Sequence, residues 1–515
     1  MKRLGELLVG LPDAQLLQGS VEQPILGITA DSRQVQPGFL FVAWRGRSTD
    51  GHRFIPEAIA RGAVAILAEA PIEIPSDLAY LHTTQARRAY ALLCRNWFGL
   101  PQQHLHIVGI TGTNGKSSTA YYLYQLWRQL GYRAGLIGTV FCRADEETLP
   151  ASLTTPDSYE LYRLLAYFRQ KGITHVAMEV SSIALDQYRT EGISFAGGVF
   201  TNLSHDHLDY HGTFTAYRDA KKRLFDGLSA SSFALTNVDD RHGRFMLQNT
   251  AARRYGYGLE GGGEFYLRLT EATLWGLEYR LGVRLGGVSR RRAEPFFSEE
   301  VEGLSAALIG RFQGYNLLAA VAAAFLSEWR REEKGWPALW QELARLSTLL
   351  QTLPGRLEPV PLSGERLGLV DYAHTPDAVE KVLRTLRPLV PPGGQLIVVV
   401  GAGGDRDPSK RAPMGKAAAL YADRVILTSD NPRSEDPWAI IQAMVAGVPL
   451  THRDKVLSIP DRREAIRTAI QLSPPRSLIA VLGKGHETYQ EIQGKRYPFS
   501  DRAVLLELAG VGYAS

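Results

Sequence analysis

Thr111-Gly112-Thr113-Asn114-Gly115-Lys116-Ser117 joins an apolar run, His106 to Ile110, to a segment of helical pattern that begins near Ser117. A strand that turns through glycines into a helix is a cradle for nucleotide phosphate. The glycines let backbone N–H groups face an anion, the helix N-terminus adds the positive end of its dipole, Lys116 brings charge, and the hydroxyl of Ser117 or Ser118 can reach Mg²⁺. The general phosphate-loop spacing wants Gly where Ile110 stands, so the match rests on strand, Gly-Lys-Ser and helix falling in register.

Outward from this loop the chain alternates strand and helix. Apolar runs at Leu136 to Thr139, Val176 to Val180, Gly198 to Asn202 and Phe233 to Asn237 predict a parallel sheet covered on both faces. Glu260 to Val301 reads as an antiparallel excursion, with alternation at Tyr266 to Leu269 and Leu277 to Val283, followed by an Ala-rich helix from Asn316 to Trp329. Upstream, Phe39 to Ala43, Ile55 to Arg61 and Ala63 to Ala68 predict strand, helix and strand of a smaller unit. Downstream, Leu367 to Asp371, Leu396 to Gly401, Arg424 to Thr428 and Leu478 to Leu482 predict a further parallel sheet whose strands end in polar loops, where such sheets bind ligands. At 515 residues an α/β protein of three domains is expected, with boundaries at 1–98, 99–353 and 354–515.

Composition narrows the function. Apolar residues make 45% and charged residues 22%, so a buried core is affordable in entropy terms and disorder is not expected. The net charge is +5 and the longest basic block is Arg290-Arg291-Arg292, which predicts a solvated loop and no nucleic-acid partner. The two cysteines, Cys94 and Cys142, give neither a disulfide framework nor a zinc spacing, and each is expected to be a small buried hydrophobe. No signal-like N-terminus or membrane-length apolar run is present, so a cytoplasmic protein without a membrane partner is expected.

Several constellations could carry chemistry. Glu179 ends a strand before Val180-Ser181-Ser182, where it could ligate Mg²⁺ or serve as a cap or surface charge. Asn202 to His211 holds three histidines in seven residues, a density compatible with metal or phosphate contact, although no thiolate accompanies them. Lys221 lies in the helical stretch Thr215 to Leu228, where a lysine ordinarily faces solvent. Asp430-Asn431-Pro432 could be a turn, with Asp436 capping a helix that opens on Pro437. Arg406 and Arg433, both at strand ends, could instead grip a carboxylate.

Together, Thr111 to Ser118, Glu179 to Ser182, Asp206-His207-Leu208-Asp209, Asp371-Tyr372-Ala373-His374 and Asp430 to Arg433 resemble the Mur ligase family, in order from Asp31-Ser32-Arg33 to Gly483-Lys484-Gly485-His486-Glu487. The resemblance implies a small α/β uridine-nucleotide domain, a central ATPase domain on the phosphate loop, and a Rossmann-like C-terminal domain. It places uridine nucleotide at Ala30, Ser32, Arg47, Ser48 and Thr49, and the muramoyl-peptide at Thr154, Thr155, Ser181, Gln187 and Arg189. ATP, as co-substrate, is implied at Gly112, Thr113, Asn114, Gly115, Lys116, Ser117, Ser118, Asn316, Asp371 and His374, with Mg²⁺ near Ser117, Glu179, His207 and Lys221. Lys221 matches the position that the family carbamylates with CO₂, and Lys116, Lys221 and His207 match its catalytic positions.

Arg406, Asp430, Asn431, Pro432, Arg433, Gly483 and Glu487 match the pocket of the incoming amino acid. Arg at the fourth position of Asp430 to Arg433 is the family's mark for meso-2,6-diaminopimelate, whose second carboxylate a guanidinium can bind. The implied reaction is ATP-driven ligation of this amine, through an acyl phosphate, to the γ-carboxylate of D-glutamate in UDP-N-acetylmuramoyl-L-Ala-D-Glu. A monomer acting on small molecules is expected. Two positions depart from the family: Ile183 stands where His is usual, and His205 where Arg is usual. Lysine-adding and folylpolyglutamate-forming relatives are the alternatives, and Arg433 and Asp31-Ser32-Arg33 argue against them.

Overall fold

The strand Phe39–Ala43 shows how the N-terminal sheet is built. Leu40 and Val42 point to one face and Phe41 and Ala43 to the other, and all four are buried, as a two-sided sheet requires. Ala65 and Leu67 against Ile66 and Ala68 repeat the pattern in Ala63–Ala68. One face packs the helices Leu4–Leu8 and Ala86–Trp97, the other the helix Ile55–Ala60. The sheet runs in the order Gln15–Gln18, Ala79–His82, Ala63–Ala68, Phe39–Ala43, Gly27–Thr29, with only the first pair antiparallel.

These features come from a computed structural model that describes residues 1–46, 49–151, 153–204, 206–286, 297–328 and 335–509. Arg47, Ser48, His205, the Arg290-Arg291-Arg292 block and Trp329 lie outside the described residues. The chain forms two compact units: Met1–Arg268 with Leu281–Glu302 and Tyr315–Ser347, and Leu269–Arg280 with Gly303–Gly314 and Thr348–Ser515. The N-terminal and central sheets share the first unit because one apolar core runs from Leu4 and Leu93 through Ile107 and Val176 to Phe225.

The central sheet places Ala134–Ile137, His175–Glu179, His106–Thr111, Gly197–Phe200, Phe233–Asn237 and Arg253–Gly258 side by side, all parallel. Parallel strands need crossovers, and the helices Lys116–Gln129, Ser158–Gln170 and Phe214–Asp226 supply them. The excursion differs from expectation at its entry, because Phe265–Ala272 pairs parallel with Arg253–Gly258, continuing the sheet direction. The Ala-rich helix begins at Arg311, before Asn316, and is buried along its length from Leu317 to Phe325. Its apolar residues surround it on all sides, so no amphipathic edge marked its start.

In the second unit, the sheet order is Glu358–Leu362, Arg366–Asp371, Leu478–Leu482, Leu396–Ala402, Arg424–Ser429, Val456–Ser458, parallel after its first pair. Val398 and Val400 pack under the helices Pro376–Leu386, Arg411–Tyr421 and Pro437–Val445, while Ile397 and Val399 face Arg462–Leu472 and Asp501–Leu508. Cys94 and Cys142 are free and buried, as expected. Among the described residues no helix is long and apolar enough to cross a membrane.

Candidate functional site

Parallel pairing brings the carboxyl ends of His106–Thr111, His175–Glu179 and Gly197–Phe200 together, and with them Gly112, Glu179 and Asn202. Gly112 and Gly115 sit at φ of 151° and 85°. A Cβ on Gly112 would strike the Thr201 hydroxyl, and one on Gly115 the Asn316 carboxamide, so both positions require glycine. The loop is braced from the next strand: Asn202 Oδ1 accepts from the Asn114 N–H at 3.0 Å, its Nδ2 donates to Asn114 O at 2.9 Å, and the Thr201 hydroxyl donates to Asn114 O at 2.6 Å. Thr113 Oγ1 lies 2.9 Å from the Tyr217 hydroxyl. Gly115 N-caps the helix that opens on Lys116, which leaves its first N–H groups at the loop. Lys116 Nζ donates to Gly112 O and Thr113 O, both at 2.9 Å.

Glu179 is 1% exposed, and its carboxylate accepts from the Ser117 hydroxyl at 2.9 Å, the Thr139 N–H at 2.7 Å and the Thr139 hydroxyl at 3.2 Å. Strand-end caps and surface charges are not buried this way. The Ser117 and Glu179 oxygens form a hard donor pair, suited to Mg²⁺, which takes one or two carboxylates and completes its shell with phosphate and water. Among the described residues no group of three His, Cys, Asp or Glu could hold a metal. His207 occupies the left-handed region at φ 52°. Partial burial, with the ammonium groups of Lys116 and Lys221, lowers its imidazole below the usual value against the opposing pull of Asp206. A neutral ring is the form that can ligate a metal.

Lys221 overturns the expectation for a helix lysine. It is 1% exposed, and Nζ donates to Gly112 O at 2.7 Å. Burial, then the charge of Lys116, holds its ammonium well below the ordinary lysine range. A signal for this was present: Tyr217, Lys221 and Leu224 recur at spacings of four and three and are all buried, so Lys221 stands on the apolar face of its helix.

The residues expected at the muramoyl-peptide form a chain beside Glu179. Thr155 Oγ1 donates to Glu179 O at 2.9 Å and accepts from the Ser181 N–H at 3.0 Å, and Thr139 and Thr154 hydroxyls lie 3.1 Å apart. The Arg189 guanidinium donates to Thr155 O at 2.9 Å and to Gln187 Oε1 at 2.8 Å, both neutral acceptors, so its charge stays available to an anion. Gln187 Nε2 reaches the Tyr210 hydroxyl at 3.1 Å, a tyrosine that sequence reasoning left out. Ile183 lies in the short helix Ser182–Asp186, and His211 Nε2 is 3.0 Å from Ser182 Oγ. In the N-terminal sheet, Ala30 and Ser32 follow the strand Gly27–Thr29, and Ser32 Oγ donates to Glu57 at 2.8 Å. The Thr49 backbone carbonyl accepts from the Gly46 N–H at 2.8 Å.

The second unit gathers its own constellation at the carboxyl ends of four adjacent strands. Asp371 is buried, accepts from the N–H groups of Leu357 and Ala373 at 2.8 Å each, and is raised by burial. His374 follows it, with Nδ1 2.8 Å from Tyr372 O. Asp430 is also raised by burial, against the nearby Arg462 and Lys484. A Cβ on Gly483, at φ 116°, would strike the Asp430 carboxylate. Asn431 Nδ2 donates to Glu487 at 2.9 Å, and Arg433 Nη1 donates to Gly404 O at 2.6 Å. Arg406 and Arg433 both flank Gly403. Pro432 packs its carbonyl against Gly404, and Asp436 caps the helix opening on Pro437 as the sequence suggested.

Two residues here escaped the sequence reading. Lys484 is fully buried and donates to Asn431 Oδ1 at 3.0 Å and to Glu487 at 2.8 Å, tying two site residues together. Arg462 pairs bidentately with Asp501 at 2.7 Å, both fully buried, and donates to Ser429 O and Leu482 O, the residues before Asp430 and Gly483. Removing one partner of such a buried pair costs about 3–5 kcal/mol.

Three family descriptions match the chain in order: Mur ligase family, catalytic domain, over residues 24–93; Mur ligase middle domain, over 110–324; and Mur ligase, glutamate ligase domain, over 355–485. The chain is similar to a protein of Cytophaga hutchinsonii named UDP-N-acetylmuramoyl-L-alanyl-D-glutamate--2,6-diaminopimelate ligase, at 43% identity over 497 residues that span 96% of each chain. A protein of the same name from Bacteroides fragilis is 41% identical over 507 residues, 98% of this chain and 99% of that one. A solved structure with that name in its title is similar at a TM-score of 0.67 and 32% identity, covering 99% of each chain.

Proposed function

Because the chain belongs to the Mur ligase family, we propose that it is the ATP-dependent ligase that adds meso-2,6-diaminopimelate to the D-glutamate γ-carboxylate of UDP-N-acetylmuramoyl-L-Ala-D-Glu, a step of peptidoglycan precursor synthesis. The observation that carries this reading is full-length similarity to ligases of that name, combined with Arg433 two residues after Asn431, which is hydrogen-bonded with Lys484 and Glu487 at the strand ends of the C-terminal sheet. We assign residues 1–98 to the uridine nucleotide, 99–353 to ATP and 354–515 to the amino acid, in a cytoplasmic monomer.

In this reading the N–H groups of Gly112 to Ser118 and the ammonium of Lys116 receive the phosphates of ATP, with Asn316 at the base; Asp371 and His374, the other residues implied at ATP, belong to the second unit. Arg189 and the hydroxyls of Thr154, Thr155 and Ser181, with Gln187, hold the peptide so that its γ-carboxylate meets the γ-phosphoryl. Attack forms an acyl phosphate and releases ADP, and Lys116 offsets the charge that two anions bring together. Ser117, Glu179, His207 and a carbamylated Lys221 would hold Mg²⁺, which when bound neutralises phosphate oxygens. Burial disfavours the ammonium form of Lys221; the neutral amine adds to CO₂, an N–C bond forms, one N–H proton leaves to solvent, and an anionic carbamate results.

Arg406 and Arg433 then present diaminopimelate, with Asp430, Asn431 and Glu487 at its ammonium groups. The attacking amino group, once it has lost a proton to solvent, bonds to the acyl carbon; phosphate leaves from the tetrahedral intermediate, and a second N–H proton departs to solvent to give the amide. Positioning and electrostatics suffice, since no protein nucleophile is needed. Phosphate release with the muramoyl-dipeptide nucleotide and a panel of amino acids tests the assignment. Release is expected to require both the nucleotide and diaminopimelate; equal rates with lysine, or release without the nucleotide, would refute it.

A further inference from the structure

Arg433 lies at φ 52°, a region that L residues with long side chains seldom occupy unless neighbours impose it. The neighbour is the hairpin Tyr489–Ile492 and Lys495–Pro498, turned by Gln493 and Gly494 at φ 49° and 73°. Arg433 N–H donates to Glu491 O at 3.0 Å, and the Gln493 N–H donates to Arg433 O at 2.6 Å. Glu491 N–H donates to Asn431 Oδ1 at 2.9 Å, and Gln490 Nε2 to Asp430 O at 2.8 Å. The loop Asp430 to Arg433 is thus clasped at Asp430, Asn431 and Arg433 by the hairpin.

The Glu491 side chain adds a charge to this clasp. Its Oε2 lies 3.9 Å from Arg433 Nε and 3.8 Å from Arg496 Nε, too far for hydrogen bonds but close enough to steer a guanidinium. Arg433 and Glu491 are both about four-fifths buried, at 21% and 22% exposure, where solvent screens them less than on the surface. With Nη1 bound to Gly404 O and Nε 3.9 Å from Glu491, two of the three nitrogens of the fork have their surroundings set, which leaves Nη2 as the remaining donor. We propose that Glu491 is a positioning residue for the amino-acid pocket, holding the Arg433 guanidinium in the orientation that receives the second carboxylate of diaminopimelate and so sharpening selection against amines that lack it. This rests on the function proposed above.

Steady-state kinetics of the full-length Glu491→Gln, Arg433→Lys and doubly substituted enzymes test it. Glu491→Gln is expected to raise KM for diaminopimelate about fivefold, with KM for ATP and for the muramoyl-dipeptide nucleotide within about twofold of the unsubstituted enzyme. The double variant is expected to be no worse than Arg433→Lys, because Glu491 acts through Arg433. Glu491→Asp, which keeps the charge, is expected to raise KM about twofold and provides the same reading should the Gln variant not fold. A KM for diaminopimelate that stays level or falls, or effects that multiply in the double variant, would overturn the role of Glu491. If Arg433→Lys itself leaves that KM unchanged, the proposed function fails instead, whatever Glu491 does.

Discussion

Replacing Lys221 with alanine is expected to lower kcat about 10³-fold while leaving the fold intact, since it removes the carbamate proposed at the phosphate edge of the central sheet. Alanine fills less space than lysine and carries no charge to bury, so thermal denaturation should still show one native protein. Lys221→Arg is expected to be equally inactive, because a guanidinium stays protonated and cannot add CO₂. The pH dependence follows from the lowered lysine pKa. The neutral amine predominates above the folded-state value, so carbamylation and activity are fully present at higher pH and are lost as pH falls through that value. Intact-mass measurement at neutral pH with bicarbonate should show the mass of one added CO₂ in the wild-type chain and none in either variant. Full activity in Lys221→Ala would remove Lys221 from the mechanism.

Arg433→Ala is expected to raise KM for diaminopimelate about 100-fold, the value of a charge-assisted, bidentate contact to a carboxylate, while KM for ATP moves less than about twofold. Lysine, which has no second carboxylate, should lose little as a substrate, so the preference between the two amines should collapse. Parallel rises in both KM values would mean that the substitution disturbs the whole C-terminal sheet rather than one recognition contact.

What could be read from the residues alone was local. The phosphate loop is one continuous strand-turn-helix, so its glycines, Lys116 and Ser117 declare themselves by spacing. The strands that were read in both parallel sheets fall within one or two residues of the observed ones because they are short apolar runs bounded by turn residues, whereas Arg253–Gly258, Glu358–Leu362 and Val456–Ser458 went unread. Contacts made across long sequence separations were not. Glu179 was visible as a strand end, yet its bonds to Ser117 and Thr139 arise only when the strands pair. Arg462 and Asp501 are 39 residues apart, and neither carries a local mark of burial. The hairpin beyond Glu487 left a readable sign, Gln493-Gly494 between polar alternating runs, but its role depends on the loop it grips. Lys221 shows the remaining case, in which helical periodicity pointed inward while the residue type pointed outward.

The central claim is that guanidinium groups at the strand ends of the C-terminal sheet select a diamino acid by its second carboxylate. A crystal structure of the full chain with diaminopimelate bound tests it most directly. The account predicts that carboxylate within hydrogen-bonding distance of Arg433, with the distal ammonium beside Glu487. Diaminopimelate bound with both carboxylates away from Arg433 and Arg406 would contradict it.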